Sequence, residues 1–473
     1  MIFLLSALAV TASGYALLRA TRLTVRPAVD APLSWLVGAA WLGWASFVAR
    51  GLLGIPSGPV TAGAVLLLPF AGWAASHRLR TRSASPETAG EGPPPPPRWI
   101  PRPAWLFVPM TAWTVLVAAA VVLHGLGTPI HTDDSYRVRA YAPVLAATGD
   151  WSDPARAVVA MAGPVPTYLP ALAWTLGAEV DPIHVSATVI LTFLALLALL
   201  VCLGSARGVP EAGWGGAFAL TSMPLFAYHA TSTYADGWLA CYLAAAFAFL
   251  VAHGRGGSPG DAARTLLLLL GAAMVKREGE LVALPVAAAL LAQVAWREPA
   301  GKGKWLRLAP ILGAWAALFL ARLVAFGSGN SVPFLLAAGQ KMAGGAPAAA
   351  AAAAPSAGGL GPGVLFLQAL FTEGNLGLLW WVFVPSVLLL VPRIRGERQG
   401  LSLAALAVLL AQAAASAIWL YPEFTLNHTT VHRSLLPVSA AAAVWLAALL
   451  APPAPPAAAA RGSGKRPPRR RGG

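Results

Sequence analysis

Two adjacent carboxylates, Asp133 and Asp134, stand in the stretch HTDDSYRVRAY at residues 131–141, just past the apolar run 104–124. Carboxylates in such a place suit a general base, or ligands for a hard divalent cation such as Mg²⁺. His131 beside them is a further candidate acid or ligand. Three more polar clusters border apolar runs. Tyr234 and Asp236 lie in HATSTYADGW, Lys276, Arg277, Glu278 and Glu280 in VKREGE, and Asn427, His428, His432 and Arg433 in LNHTTVHRSLLP. Lys, Arg and His suit a phosphate, which is dianionic and accepts several hydrogen bonds. Acids facing such cations at a membrane surface fit a lipid-linked phosphate substrate. One group would activate an acceptor hydroxyl while the others hold the phosphate leaving group. A donor delivered by the membrane needs no nucleotide-binding fold.

The elements that must position these groups follow from composition. Of 473 residues, 57% are hydrophobic and only 11% charged, against about 25% charge in soluble domains. Long Ala, Leu and Val runs approach the roughly 20 residues that cross a bilayer. The chain reads as all-α, a polytopic transmembrane helical bundle of about thirteen spans. These fall at 1–18, 31–49, 57–76, 104–124, 183–203, 213–231, 236–252, 264–275, 279–296, 308–326, 376–392, 401–419 and 434–451. The first lacks a charged leader and is followed by Arg19, Arg22 and Arg26, so it reads as a membrane helix with its N-terminus outside.

Orientation follows from charge. With the C-terminal tail cytoplasmic, the inner connectors and tail hold 24 of the 33 Lys and Arg, as the positive-inside rule requires. Eleven of the 18 acids then fall outside. Acids contribute little to orientation, so their excess on the outer face needs another cause, and all four polar clusters lie there. The net charge of +15 sits in connectors and in the tail RGSGKRPPRRRGG, with no basic folded domain to hold it. Topology and anionic headgroups account for it, and no nucleic acid is expected.

Four regions result: three N-terminal spans (1–80), a Pro-rich cytoplasmic linker (81–103), a membrane core (104–451) and a basic cytoplasmic tail (452–473). The stretch 343–363 is low in complexity, and its GPG at 361–363 reads as a loop. No internal repeat is evident. Cys202 and Cys241 both lie in apolar runs, which excludes a disulfide framework or cysteine metal site. GxGxxG after a strand, GxxxxGK[ST], HExxH and CxxC are all missing. Richness in Ala, Gly, Pro and Arg points to a bacterial inner (plasma) membrane.

The order of motifs resembles the GT-C glycosyltransferases that use polyprenyl-phosphate sugars, close to the protein mannosyltransferase and aminoarabinose transferase group. The acidic pair precedes DSYRVRAYAPVLAATGDW, like that family's first outer loop. PLFAYHATSTYADGWLACYLA is similar to its Pro…Tyr-Ala-Asp junction, VKREGELVALP to its Lys-x-Glu-Gly turn, and HRSLLP to its late Arg-containing motif. The resemblance covers roughly 104–451 and leaves out the three N-terminal spans. It implies a catalytic base, or a divalent metal site for Mg²⁺ or Mn²⁺ in metal-dependent members, at Asp133 or Asp134. Asp134 is favoured because it directly precedes the Ser-Tyr stretch. It implies lipid-phosphate or structural roles for Lys276, Glu278 and Gly279, a sugar pocket lined by Tyr234 and Asp236, and neutralisation of the leaving phosphate by His432 and Arg433. Arg277 occupies the variable position, and a phosphate role for it rests on its charge.

Each residue also has a plainer reading. Asp236 could serve only the N-terminus of its helix. Lys276 or Arg277 could pair with Glu280, and Arg137 and Arg139 could face headgroups. His428 and His432 have helical spacing but no third metal ligand. Trp151, Tyr168, Trp174, Trp380 and Trp381 read as interfacial anchors. The expected function is transfer of a sugar from a polyprenyl-phosphate donor to an acceptor outside the cytoplasm, among membrane lipids. The alternative is a multispan transporter or lipid-linked glycan flippase, which would place its charges at mid-span.

Overall fold

The computed structural model describes residues 1–82, 97–101, 103–127, 142, 163–179, 181, 183–232, 234–256, 259–297, 302–326, 361–420 and 429–452. Asp133, Asp134, His131, Arg137, Arg139, Trp151, Asn427 and His428 lie outside the described residues, as do most of the Pro-rich linker, the stretch 343–360 and nearly all of the tail.

The chain opens with α1 (Ile2–Thr21), α2 (Pro27–Leu53), α3 (Pro59–Arg82) and α4 (Ala104–Gly127). After the acidic loop come α5 (Pro164–Thr175), α6 (Ile183–Ala206), α7 (Pro210–Thr221), α8 (Pro224–Thr231) and α9 (Ala235–Gly254). There follow α10 (Pro259–Ala273), α11 (Arg277–Arg297), α12 (Lys302–Phe326), α13 (Pro362–Phe371), α14 (Leu379–Leu389), α15 (Val391–Gly396), α16 (Gly400–Ala415) and α17 (Thr429–Leu450). A five-residue π turn, Ser416–Leu420, extends α16. The described residues contain no strand, and the fold is all-helical, as read from the apolar runs.

Nine of these helices are long and apolar enough to cross a membrane, by length and composition among the described residues. The other four expected spans are shorter or broken. Segment 264–275 lies largely in the 15-residue α10, 308–326 in the apolar part of α12, and 376–392 in α14 followed by α15. Segment 213–231 divides into α7 and α8 at Pro224, the first residue of α8. Proline lacks an N–H and fits a helix best in its first turn, and at Pro224 the first helix has ended and a new one begins, whereas Pro109 and Pro285 are carried inside their helices. The same preference starts α13 at Pro362, where a loop was expected. Helix α5 was not anticipated. Its sequence PVPTYLPALAWT is almost wholly buried, yet at 12 residues it is too short to register as a span.

The core is continuous from the first helix to the last. Helix α2 runs through it. Trp35 Nε1 donates to Thr192 Oγ1 of α6 at 3.1 Å, Trp44 Nε1 to the Ala314 carbonyl of α12 at 2.9 Å, and Tyr242 Oη of α9 to the Leu36 carbonyl at 2.8 Å. The N-terminal helices thus share one core with residues 164–451.

Ion pairs tie the helix termini together at both ends. At one end Arg207 and Arg264 share the buried Asp261, and Arg264 Nε also donates to the Leu23 carbonyl at 2.7 Å. Arg255 meets Glu397 at 2.5 Å, and its second donor reaches the Ala448 carbonyl. The opposite end holds Asp236, Lys276 and Arg433, described members of the polar clusters of the sequence.

Candidate functional site

Asp236 is the second residue of α9 and is completely buried. No side-chain cap closes that helix, so Asp236 does not serve as a conventional N-cap. Its carboxylate lies between two cations. Lys276 Nζ donates to Oδ1, and Arg433 Nε donates to Oδ2 at 2.8 Å. The partners are 40 and 197 residues away in sequence. Lys276 stands in the turn between α10 and α11, and Arg433 in the first turns of α17. One buried acid therefore joins three of the four junctions singled out in the sequence.

Secondary contacts fix the cations. The Arg433 guanidinium lies 4.6 Å from the centre of the Tyr234 ring, a cation–π distance. Tyr234 in turn lies against His229, with ring centres 5.4 Å apart. Glu278 comes within 3.9 Å of Lys276. Burial is the largest influence and would lower the Lys276 ammonium, but the charge and hydrogen bond of Asp236 together with the charge of Glu278 outweigh it and hold the lysine above its ordinary range. Lys276 is thus a cation throughout the physiological range. Arg433 keeps 35% of its side chain exposed. Nε serves Asp236, and the same planar group carries further donors of the kind that grip phosphate.

The Lys276 turn is clamped from three sides. Arg322, on α12, pairs with Glu280 and donates to the Ala273 carbonyl at 2.9 Å, thereby bridging both ends of the turn. Gly279 packs so closely that a Cβ there would meet the Ala272 carbonyl oxygen at 2.1 Å, which explains glycine in the Lys-x-Glu-Gly turn. On the third side, Val165 N–H donates to the Met274 carbonyl at 3.1 Å. The expected bridge from Lys276 to Glu280 is thus replaced by two pairs, Lys276–Asp236 and Arg322–Glu280. Arg277 opens α11, and its side chain lies outside the described residues.

His432 turns to a different neighbour. Its Nε2 meets the Glu373 carboxylate and lies 2.9 Å from Asn375 Nδ2. The Asn375 carbonyl accepts the Leu225 N–H at 2.9 Å, which joins the turn before α14 to the start of α8. Among the described residues no three His, Cys, Asp or Glu side chains gather as metal ligands.

Sequence reasoning missed Glu373, Asn375, Arg322 and His229. Glu373 and Asn375 carried the same signal as the rest, charged and polar types bordering an apolar run in FTEGN. Arg322 was legible as a lone charge within the run 308–326, where an ionisable group needs a partner. Removing that charge has a readable cost. Arg322→Gln leaves Glu280 without its cation and is expected to destabilise the protein by about 3 kcal/mol. The unfolding midpoint in detergent measures this, and adding Glu280→Gln should recover part of the loss. An unchanged midpoint in the single variant would remove Arg322 from the clamp.

Compared with known proteins, the chain matches no family model, no curated protein and no solved structure.

Proposed function

We propose that the protein is an integral-membrane glycosyltransferase of the GT-C kind, taking a sugar from a polyprenyl-phosphate donor at the extracytoplasmic face of a bacterial inner membrane. The observation that carries this reading is the meeting of the Tyr-Ala-Asp, Lys-x-Glu-Gly and His-Arg junctions on Asp236. The unit is made of helix ends, where a lipid phosphate would arrive, and not of mid-helix charges facing a channel. The breaks between α7 and α8 and between α14 and α15 are features that a transporter would share.

The described residues that border the acidic segment support this reading. Its first end follows Gly125, which packs against Thr231. Its second end, Gly163, sits on the backbone of Val275 next to Lys276. The described residues on either side of the segment that contains Asp133 and Asp134 thus contact Thr231 and Val275, a few residues from Asp236 and Lys276.

In the reaction, Asp134 or Asp133 takes the proton of an acceptor hydroxyl as that oxygen bonds to the anomeric carbon. The anomeric carbon–oxygen bond to phosphate breaks, configuration inverts, and polyprenyl phosphate leaves with the electron pair. Lys276 and Arg433 meet its growing negative charge, with Arg277 and His432 nearby in sequence. Asp236 holds both cations in place, Tyr234 supports Arg433, and Glu278 adjusts Lys276. In a metal-dependent enzyme the two loop acids would hold Mg²⁺ or Mn²⁺, which would share the phosphate charge.

Membrane vesicles loaded with radiolabelled polyprenyl-phosphate hexoses test this. Wild type should turn over one donor, and either Asp133→Asn or Asp134→Asn should reduce transfer by about 10²–10⁴-fold, the range of a lost general base. Equal activity in both variants at matched protein levels would exclude the loop acids from the chemistry. Absence of turnover with every donor, together with movement of label across the bilayer, would favour the flippase.

A further inference from the structure

The three N-terminal helices carry a cationic notch that the transfer reading does not use. It lies at the end of the bundle away from Asp236. Phe3, at the start of α1, stacks on His184 at the start of α6, with ring centres 4.9 Å apart. Helix α6 ends near Arg207, which pairs with Asp261 at the start of α10. Helix α10 ends at the Lys276 turn, so the C-terminal turn of α1 faces away from the site.

There α1 and α3 touch, with Gly72 opposite Ala20. Arg19 of α1 sits in an aromatic bracket, its guanidinium carbon 5.9 Å from the ring centres of both Tyr15 and Trp73. The two rings meet edge to face at 6.3 Å. Arg22, in a left-handed conformation at φ 60°, ends α1 beside it. Arg19, Arg22, His77 and Arg78 are exposed. The apolar span of α3 ends at Arg78, so the notch lies level with the edge of the hydrocarbon. Residues 1–82 contain seven Arg but a single acid, Asp30. That acid is buried and accepts the Val25 N–H at 2.6 Å. The notch therefore carries an excess of positive charge, with the buried Asp30, which the Arg19 charge reaches, the one acid in residues 1–82.

We infer that this notch is a binding site for the phosphodiester headgroup of an anionic phospholipid in the leaflet opposite Asp236. Arginine suits the ligand because its planar donors grip phosphate oxygens in pairs. Tyr15 and Trp73 suit the depth, since amphipathic rings settle at headgroup level. The aromatic bracket holds Arg19 at the mouth of the notch, where a lysine would gain less from the rings. The site does not depend on the transferase reading, and it gives the N-terminal helices a role of their own: they anchor the bundle to one leaflet.

Native mass spectrometry of the full chain, titrated with phosphatidylglycerol or phosphatidylcholine, tests the inference. Wild type should retain phosphatidylglycerol in preference. Arg19→Gln with Arg22→Gln should reduce that retention by about fivefold per arginine removed. Arg395→Gln with Arg398→Gln, exposed cations outside the notch, should leave it unchanged. Equal retention of the two lipids by wild type would overturn the inference. So would unchanged retention in the first pair, or an equal loss in the second, which would reduce the effect to general basic attraction. Should the first pair fail to fold, Arg78→Gln on the other wall gives the same reading.

Discussion

Asp236→Asn is expected to be the most damaging single change at the charged cluster, costing about 3–5 kcal/mol of stability and essentially all sugar transfer. The carboxylate is fully buried and is shared by Lys276 and Arg433. Removing one member of a buried ionic set leaves the others desolvated without compensation. Glu278, 3.9 Å from Lys276 and largely outside the core, offsets little of this. The unfolding midpoint in detergent and the vesicle transfer assay measure the two effects. Adding Lys276→Met should restore part of the midpoint, because the stranded ammonium is gone, but none of the transfer. Recovery of transfer in the double variant would sink the phosphate role of Lys276. An unchanged midpoint in Asp236→Asn would show that the carboxylate does not organise the cluster.

The same pair fixes a pH dependence. The folded-state pKa of Lys276 lies above its ordinary value, so the folded state holds that proton more tightly than the unfolded chain. Its contribution is present in full below the unfolded value, about 10.4, and is lost as pH rises through the folded one. Stability from this pair is therefore constant across the neutral range and falls only in strong alkali. In Asp236→Asn the largest opposing attraction is gone, and burial is countered only by the half-exposed Glu278. The lysine then titrates at lower pH, and the variant's stability should begin to change nearer neutrality.

The residue types of this cluster were legible because the rest of the chain is so apolar. An acid or cation bordering a membrane helix has few reasons to be there, and Asp236, Lys276 and Arg433 were each singled out on that ground. Their partnership was not legible. Asp236 finds Lys276 across 40 residues and Arg433 across 197, and sequence spacing carries no signal for contacts made by helices packing side by side. Local reasoning therefore paired Lys276 or Arg277 with Glu280, the nearest acid one helical turn away. Arg322, arriving from α12, takes that acid instead.

The fold divides along similar lines. Among the described residues apolar length found each helix long enough to span, since one property decides both the signal and the structure. It failed where backbone chemistry interrupts the run. A hydropathy window passes over Pro224, whereas the helix cannot continue through it unchanged. It also failed at α5, whose 12 residues lie inside what the sequence offers only as a long loop. That omission matters because the start of α5 is one of the supports of the Lys276 turn.

Gly163→Ala tests that support and is expected to rival Asp236→Asn in effect. Gly163 has φ +77° and ψ 166°, a region essentially reserved for glycine that costs an L-residue roughly 1–3 kcal/mol. The added Cβ would also lie 2.2 Å from the Val275 carbonyl oxygen and 2.4 Å from that of Met274. Both obstacles are backbone, so no rotamer change relieves them. The chain must separate, and the Val165–Met274 hydrogen bond goes with it. The end of the acidic loop would then leave the Lys276 turn, and transfer should fall through a raised KM for the lipid donor as well as a lower kcat. Gly177→Ala supplies the control. Its φ of +96° is also unfavourable for an L-residue, but nothing lies within 4 Å of its Cβ position. It should show the conformational cost alone, with transfer close to wild type. If the two variants behave alike, the close approach at Val275 contributes nothing, and the acidic loop does not depend on that anchor. If Gly163→Ala alone loses transfer, the link between the loop acids and the lysine is functional as well as structural.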